Sequence, residues 1–229
     1  MKKYLALLLA LVMCLSLLSA CGDTTGDNSQ APGSDAPASQ SIDPAKEGST
    51  AVTIGYVGGH YACYPSSANS DDFVQQGMVY DKLFEVDDNT GEYTSRVLSS
   101  WEWTDDKTLV MTLKDGITFS DGKQMTMEDV LFSLQNYITQ GETTDKYQYF
   151  QYIDFDASTI SEDGMTLTLV YQFPYGPAER TLNCSIMQKE FTEAHDNADQ
   201  IWYTGPVGSG PYEITDCVQD SYVTFTLRD

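Results

Sequence analysis

The chain has 229 residues, and its 34 Asp and Glu against 12 Lys and Arg leave a formal charge of −22. That balance excludes nucleic acid as a partner, because binding phosphates requires basic surface. Fifteen Tyr, nine Phe and three Trp supply ample core-forming surface, and no internal repeat divides the sequence.

Lys2 and Lys3 precede the apolar run YLALLLALVMCLSLL, too short and too early for an ordinary membrane span; it reads as a secretory signal over residues 1–20. The run ends in LSAC, Leu18 to Cys21, which resembles the lipobox of bacterial lipoproteins. That resemblance makes Cys21 the acylated first residue of the mature protein and its lipid anchor; an ordinary signal cut near Ala20 is the alternative. Residues 21–50 have no aromatic residue and one Ile among Ser, Asp, Pro, Ala and Gly, so they bury too little apolar surface to offset chain entropy. They read as a disordered tether, holding the folded part about 30 Å from the membrane as a random coil. Loss of the signal removes Lys2 and Lys3 and no acid, leaving 10 basic and 34 acidic residues and a charge of −24. Beyond Cys21 only Cys63, Cys184 and Cys217 remain, enough for one disulfide and a leftover thiol, with the pair open.

About 180 residues follow, enough for one large or two small domains. AVTIGYV, Ala51 to Val57, alternates β-formers and predicts a strand, and GGHYACYPSS after it is a loop broken by Gly58, Gly59 and Pro65. Asn69 or Ser70 as N-cap, with Phe73, Met78, Leu83 and Phe84 as apolar positions, predicts a helix from Ala68 to Glu85. DDNTGE, Asp87 to Glu92, is a turn; two strands hinged at Asp105 and Asp106, a turn at Asp115 and Gly116, and a short strand then form a meander. Asp121-Gly122 makes a further turn, and Thr126 with Asp129 is an acidic version of the capping box. The helix it opens carries Val130, Leu131, Leu134, Tyr137 and Ile138 as an apolar stripe. YIDFDAST and MTLTLVYQF, around the Asp163-Gly164 turn, predict a hairpin; PYGPAERTLNC predicts a short helix. GPVGSGPYEITDC leads into a strand, and SYVTFTLRD is another.

Most chemistries fail on spacing. DDNTGE and SDGKQMTMED lack the ligand order of a calcium loop, so their acids read as turn and cap residues. GPVGSG does not match a nucleophile elbow, and His60 and His195 are the only histidines, so a Cys63 with His195 pairing stands unsupported. Asp71 with Asp72 and Glu128 with Asp129 are sequence neighbours that point apart on a helix, which denies them an acid/base partnership. No CxxC or paired Cys/His spacing announces zinc. No enzyme, no metal site and no cofactor is expected. GGHYACYP and GSGPY remain, two glycine-bearing loops at strand ends, where α/β sheets place ligands.

Tyr80, Asp81, Leu83, Ser100, Trp101, Leu113, Lys114, Phe119, Asp121, Gly122, Thr126, Glu128, Asp129 and Val130 follow one another in the order of a known signature. The run VYDKLFEV through DVLFSL, with GSGPYEI further on, resembles the family 5 extracellular solute-binding proteins, the peptide and nickel receptors of ABC importers. The resemblance covers Val52 to Arg228. It implies an α/β fold of the periplasmic-binding-protein class II, two lobes hinged around a ligand with a small subdomain inserted in the first. On that mapping residues 51–75 and 178–229 are first-lobe pieces and 76–177 the inserted subdomain, while the second lobe is absent and would lie beyond Asp229. The ligand-facing loop is Gly58, Gly59, His60, Tyr61, Ala62 and Cys63, which pairs with an extended peptide as an added strand does. Gly208, Ser209 and Gly210 are weaker candidates. The implied protein is a lipid-anchored receptor on the outer face of the cell membrane, handing oligopeptides or dipeptides to an ABC permease. A nickel or metal-chelate receptor, with His60 as a contact, and a surface interaction module without transport are the alternatives.

Overall fold

The computed structural model describes residues 64–65, 73–140, 146–218 and 221–228. The predicted signal, tether, lipidation site Cys21, first strand and loop Gly58–Cys63 lie outside the described residues.

Helix α1 (Phe73–Val79) opens the described fold. It stops at Val79, six residues short of the predicted end at Glu85, because the following segment is claimed by long-range pairing. Lys82 bridges Ser185, Leu83 N–H donates to the Cys184 carbonyl, and Ile186 N–H donates to the Asp81 carbonyl. Leu83 and Phe84, read as helical positions, are instead fully buried in the irregular segment between α1 and the next strand. β1 (Glu85–Val86) and β2 (Tyr93–Thr94) then close a small hairpin over the DDNTGE turn.

The centre is a four-stranded antiparallel sheet of β3 (Leu98–Trp103), β4 (Thr108–Leu113), β5 (Thr159–Ile160) and β6 (Thr166–Val170), in the order β3-β4-β6-β5. β6 therefore lies beside β4 and leaves β5 at the edge. Alternation decides which side chains go inward: Leu109, Met111 and Leu113 of β4 face Leu167 and Leu169 of β6, and all five are buried. Each such side chain stabilises the fold by ~1.5–3 kcal/mol.

Two predicted strands are smaller than their sequences suggest. The short strand after Gly116 survives as one bridge, Thr118 to Gln124. YIDFDAST is a strand only at Thr159; Asp154 curls the chain, its carboxylate accepting from Ala157 N–H and its carbonyl from Ser158 N–H and Oγ. Local side-chain bonds of this kind compete with the ladder.

α2 (Met127–Thr139) lays Val130, Leu134 and Tyr137 into the core, with Leu131 and Ile138 half-buried at its margin. The Asp129 carboxylate accepts from Thr126 N–H at 2.9 Å and Thr126 Oγ1 at 3.1 Å, the reciprocal arm of the predicted capping box. Ahead of it, Gly122 takes φ 84°, a conformation that favours glycine, and donates to the Phe119 carbonyl.

After α3 (Tyr147–Phe150) and the sheet, α4 (Ala178–Thr181) provides the predicted short helix, and the core continues through Ala178, Leu182, Cys184, Ile186 and Met187. α5 (Lys189–Glu193) and α6 (Ile201–Thr204) follow. A separate antiparallel pair, β7 (Tyr212–Val218) with β8 (Tyr222–Leu227), packs Ile214, Val223 and Phe225 on Val79 and Tyr80. Cys184 is buried on the loop before α5 and Cys217 half-buried on β7, and no disulfide joins them.

Candidate functional site

The candidate residues Gly208, Ser209 and Gly210 form a buried crossing of three segments. A side-chain carbon on Gly208 would lie 2.0 Å from the Val79 carbonyl oxygen, and one on Gly210 would lie 2.5 Å from that of Met78. Glycine is required here because the backbone itself is the packing surface against the end of α1. Gly210 N–H donates to the Val79 carbonyl at 2.8 Å, and Asp81 N–H donates to Ser209 Oγ at 3.3 Å.

Arg228, at the end of β8, closes the crossing. Its guanidinium donates to the carbonyls of Gly208 (3.3 Å), Gly210 (3.0 Å) and Thr118 (2.9 Å). Ser120 N–H donates to the Gly208 carbonyl at 2.8 Å. The FSDG turn, the glycine loop and β8 are thus tied at one point by a planar fork with several donors.

Asp81 sits beside this knot, 6% exposed, and burial pushes its carboxyl above the usual range despite Arg96 Nε at 3.3 Å. The approach of Arg96 is out of line for a hydrogen bond, and its side chain is half in solvent, so the pairing offsets only part of the desolvation.

A second assembly holds Tyr64 and Pro65, the residues directly after the predicted ligand loop. Tyr64 is 3% exposed and its hydroxyl donates to Asn136 Oδ1 at 3.0 Å while accepting from Gln140 Nε2 at 3.3 Å. Gln76 Nε2 donates to the Tyr64 carbonyl at 3.4 Å, and Tyr137 donates from its hydroxyl to the Pro65 carbonyl at 3.0 Å. The Tyr64 ring meets Trp202 edge-on at 4.7 Å, and Trp202 meets Phe191 likewise at 5.2 Å. His195 completes this cluster rather than standing as a free base: its ring lies 4.4 Å from that of Phe191, and its Nδ1 is 2.8 Å from the Phe191 carbonyl.

Sequence reasoning did not find Tyr64, Asn136, Tyr137 or Gln140 as a unit. Their partners are 72 to 76 positions apart, and no local pattern reports that separation. The only signal was Tyr137 in the apolar stripe of α2, a helical position whose hydroxyl requires a partner once buried.

The acid-rich turns resolve as backbone chemistry. Asp87 accepts from Asn89 and Thr90 N–H, Asp105 from Lys107 N–H, Asp121 from Lys123 N–H and Asp163 from Met165 N–H. Among the described residues, no group of three or more His, Cys, Asp and Glu is placed to hold a metal ion. A shallow groove of about 330 Å³ at the start of α2 is lined by Lys123, Glu128, Lys189 and Glu190, whose charges pair with one another.

The chain belongs to the bacterial extracellular solute-binding proteins, family 5, whose model (family 5 Middle) matches residues 92–229. The nickel-binding protein NikA of Staphylococcus aureus is 29% identical over 146 residues, covering 64% of this chain and 27% of the relative. In structure, NikZ from Campylobacter jejuni, solved with Ni(L-His), is similar with a TM-score of 0.63 and 20% identity over 72% of this chain and 33% of that one. A dipeptide-binding protein from Pseudoalteromonas sp. SM9913, solved with Met-Leu, gives a TM-score of 0.58 at 19% identity, covering 75% of this chain and 38% of that one. The chain therefore spans between about a quarter and two fifths of the length of these relatives.

Proposed function

We propose that the protein is the substrate-capturing component of an ABC importer and takes short peptides outside the membrane, without catalysis. Family membership across residues 92–229 carries the reading. Cys21 is its acylated anchor and residues 21–50 the tether, so capture takes place near a permease. Residues 51–75 and 178–229 belong to one lobe, and 76–177 to a subdomain inserted in it that shares core with Ala178, Leu182 and Ile186. Gly58 to Cys63 meet the peptide backbone as an added strand does. Gly208, Ser209 and Gly210 contribute as a fixed wall, since the α-carbons and carbonyls of Gly208 and Gly210 and the hydroxyl of Ser209 are already engaged.

A nickel complex is the second reading, favoured by the likeness to the Staphylococcus aureus nickel-binding protein. Native mass spectrometry of the protein purified from its own membrane separates the two. The expected result is a heterogeneous mass addition of short peptides together with a lipid on Cys21. Retention of nickel with no peptide would transfer the reading to a metal-chelate receptor, and retention of neither would favour a surface interaction module.

A further inference from the structure

Aromatic rings run in a continuous row from one end of the four-stranded sheet out to solvent. Trp103 ends β3 and Tyr171 follows β6, and their centroids are 6.0 Å apart. Tyr171 stacks on Tyr175 at 4.7 Å; Tyr175 leads on to Tyr152 at 6.2 Å and Phe173 at 6.5 Å, and those two meet at 5.0 Å. Tyr171 is 2% exposed, Tyr152 and Tyr175 are half-buried, and Phe173 is 42% exposed. Isolated apolar side chains are ordinary on a surface, whereas adjoining rings that reach water are a contact surface. The backbone beneath them is fixed: Gln172 N–H donates to the Tyr152 carbonyl at 2.9 Å, Tyr171 N–H to that of Lys107 at 2.9 Å and Tyr175 N–H to that of Asp106 at 3.3 Å. Little ordering is therefore lost when a partner arrives.

Charge selects the occupant. The segments that carry the row, residues 101–108, 151–156 and 171–180, hold six acids against Lys107 and Arg180. Glu179 places a carboxylate on the row itself, accepting from Trp103 Nε1–H at 2.9 Å, while Lys107 Nζ is engaged by the Gln172 carbonyl at 3.4 Å. A second copy would bring the same acids and a formal charge of −22, and is repelled. Ring faces attract cations, and the flat, weakly hydrated guanidinium stacks on them better than an ammonium does. We propose that Tyr152, Phe173 and Tyr175, with the acids around them, dock a basic, arginine-bearing segment of another protein. None of these rings belongs to the glycine crossing or to the Tyr64 assembly, so the docking does not depend on which solute is captured.

Labelled hexa-arginine and hexa-lysine peptides carry equal charge, so titrating each into the full-length protein, followed by fluorescence anisotropy, separates docking on the rings from general attraction to an acidic protein. Wild type is expected to prefer hexa-arginine by about twofold or more, and Phe173→Ala to weaken that peptide about two- to fivefold, the worth of one exposed cation–π contact. Adding Tyr152→Ala should abolish the preference, although neither substitution alters net charge. Equal binding of the two peptides by wild type overturns the proposal, as does a preference that the double variant keeps. If the double variant melts early, Phe173→Ala alone, at an exposed position, is held to the same criterion. Two further results would overturn it: tighter, Phe173-dependent binding of the neutral sugar maltohexaose, which would assign a carbohydrate, and Phe173-dependent self-association in sedimentation, which would assign a second copy.

Discussion

Gly208 tests whether the glycine loop is built on backbone contact. In Gly208→Ala the new methyl must displace the Val79 peptide, which is backbone and cannot swing away, so a loss of ~1–3 kcal/mol or more is expected in denaturant unfolding. Two acids give opposite pH signatures. Burial raises the Asp81 carboxyl, so the folded state favours its protonated form and the ionised form weakens the fold at neutral pH. Asp81→Asn is expected to raise Tm at pH 7, and the gain should disappear as pH falls below about 4, where the unfolded carboxyl is protonated too. Asp105 is the reverse case, lowered chiefly by the hydrogen bond from Lys107 N–H. Its contribution is present above about pH 4 and lost as pH falls through the folded value, so Asp105→Ala should lower Tm at pH 7, with the deficit shrinking as pH falls through that lowered value. Thermal melts across that range check both signs.

At the scale of elements, α2 depends on its first turn more than a surface helix does. Asp129 serves Thr126 N–H, Thr126 Oγ1 and Lys189 N–H at once. Asp129→Ala strands donors on two segments, and a loss of ~2–4 kcal/mol is expected, above the ~1 kcal/mol of an isolated cap. Thr126→Ala, which keeps the carboxylate bonded to Lys189 N–H, should cost less. The capping box, the apolar stripe and the Asp-Gly turns were legible in sequence because each is a local device with fixed offsets. The end of α1 was not, since Asp81 and Leu83 pair with Ile186 and Cys184 about a hundred positions away. Nor was the sheet order, because β6 takes its place beside β4 through cross-strand packing of Leu167 and Leu169 that adjacency in sequence does not report. Asp154 defeated the strand predicted over YIDFDAST by offering its neighbours shorter-range bonds.

For the whole molecule, the chain shares the family 5 solute-binding fold, and the glycine crossing and the Tyr64 assembly are two places where distant segments of it are tied together. Of the two glycine loops that the sequence singled out, GSGPY is a place where backbone comes close, and Gly58–Cys63 lie outside the described residues. The Tyr64 assembly was not legible, because a buried hydroxyl declares its partner only in three dimensions. The central claim is capture of peptides for import. Its most direct measurement is uptake of a labelled tripeptide by cells lacking the gene and by the same cells with it restored, alongside uptake of nickel as its histidine complex. Peptide uptake that falls on deletion and returns on restoration, with nickel uptake constant, is the predicted result; peptide uptake indifferent to the gene contradicts the account.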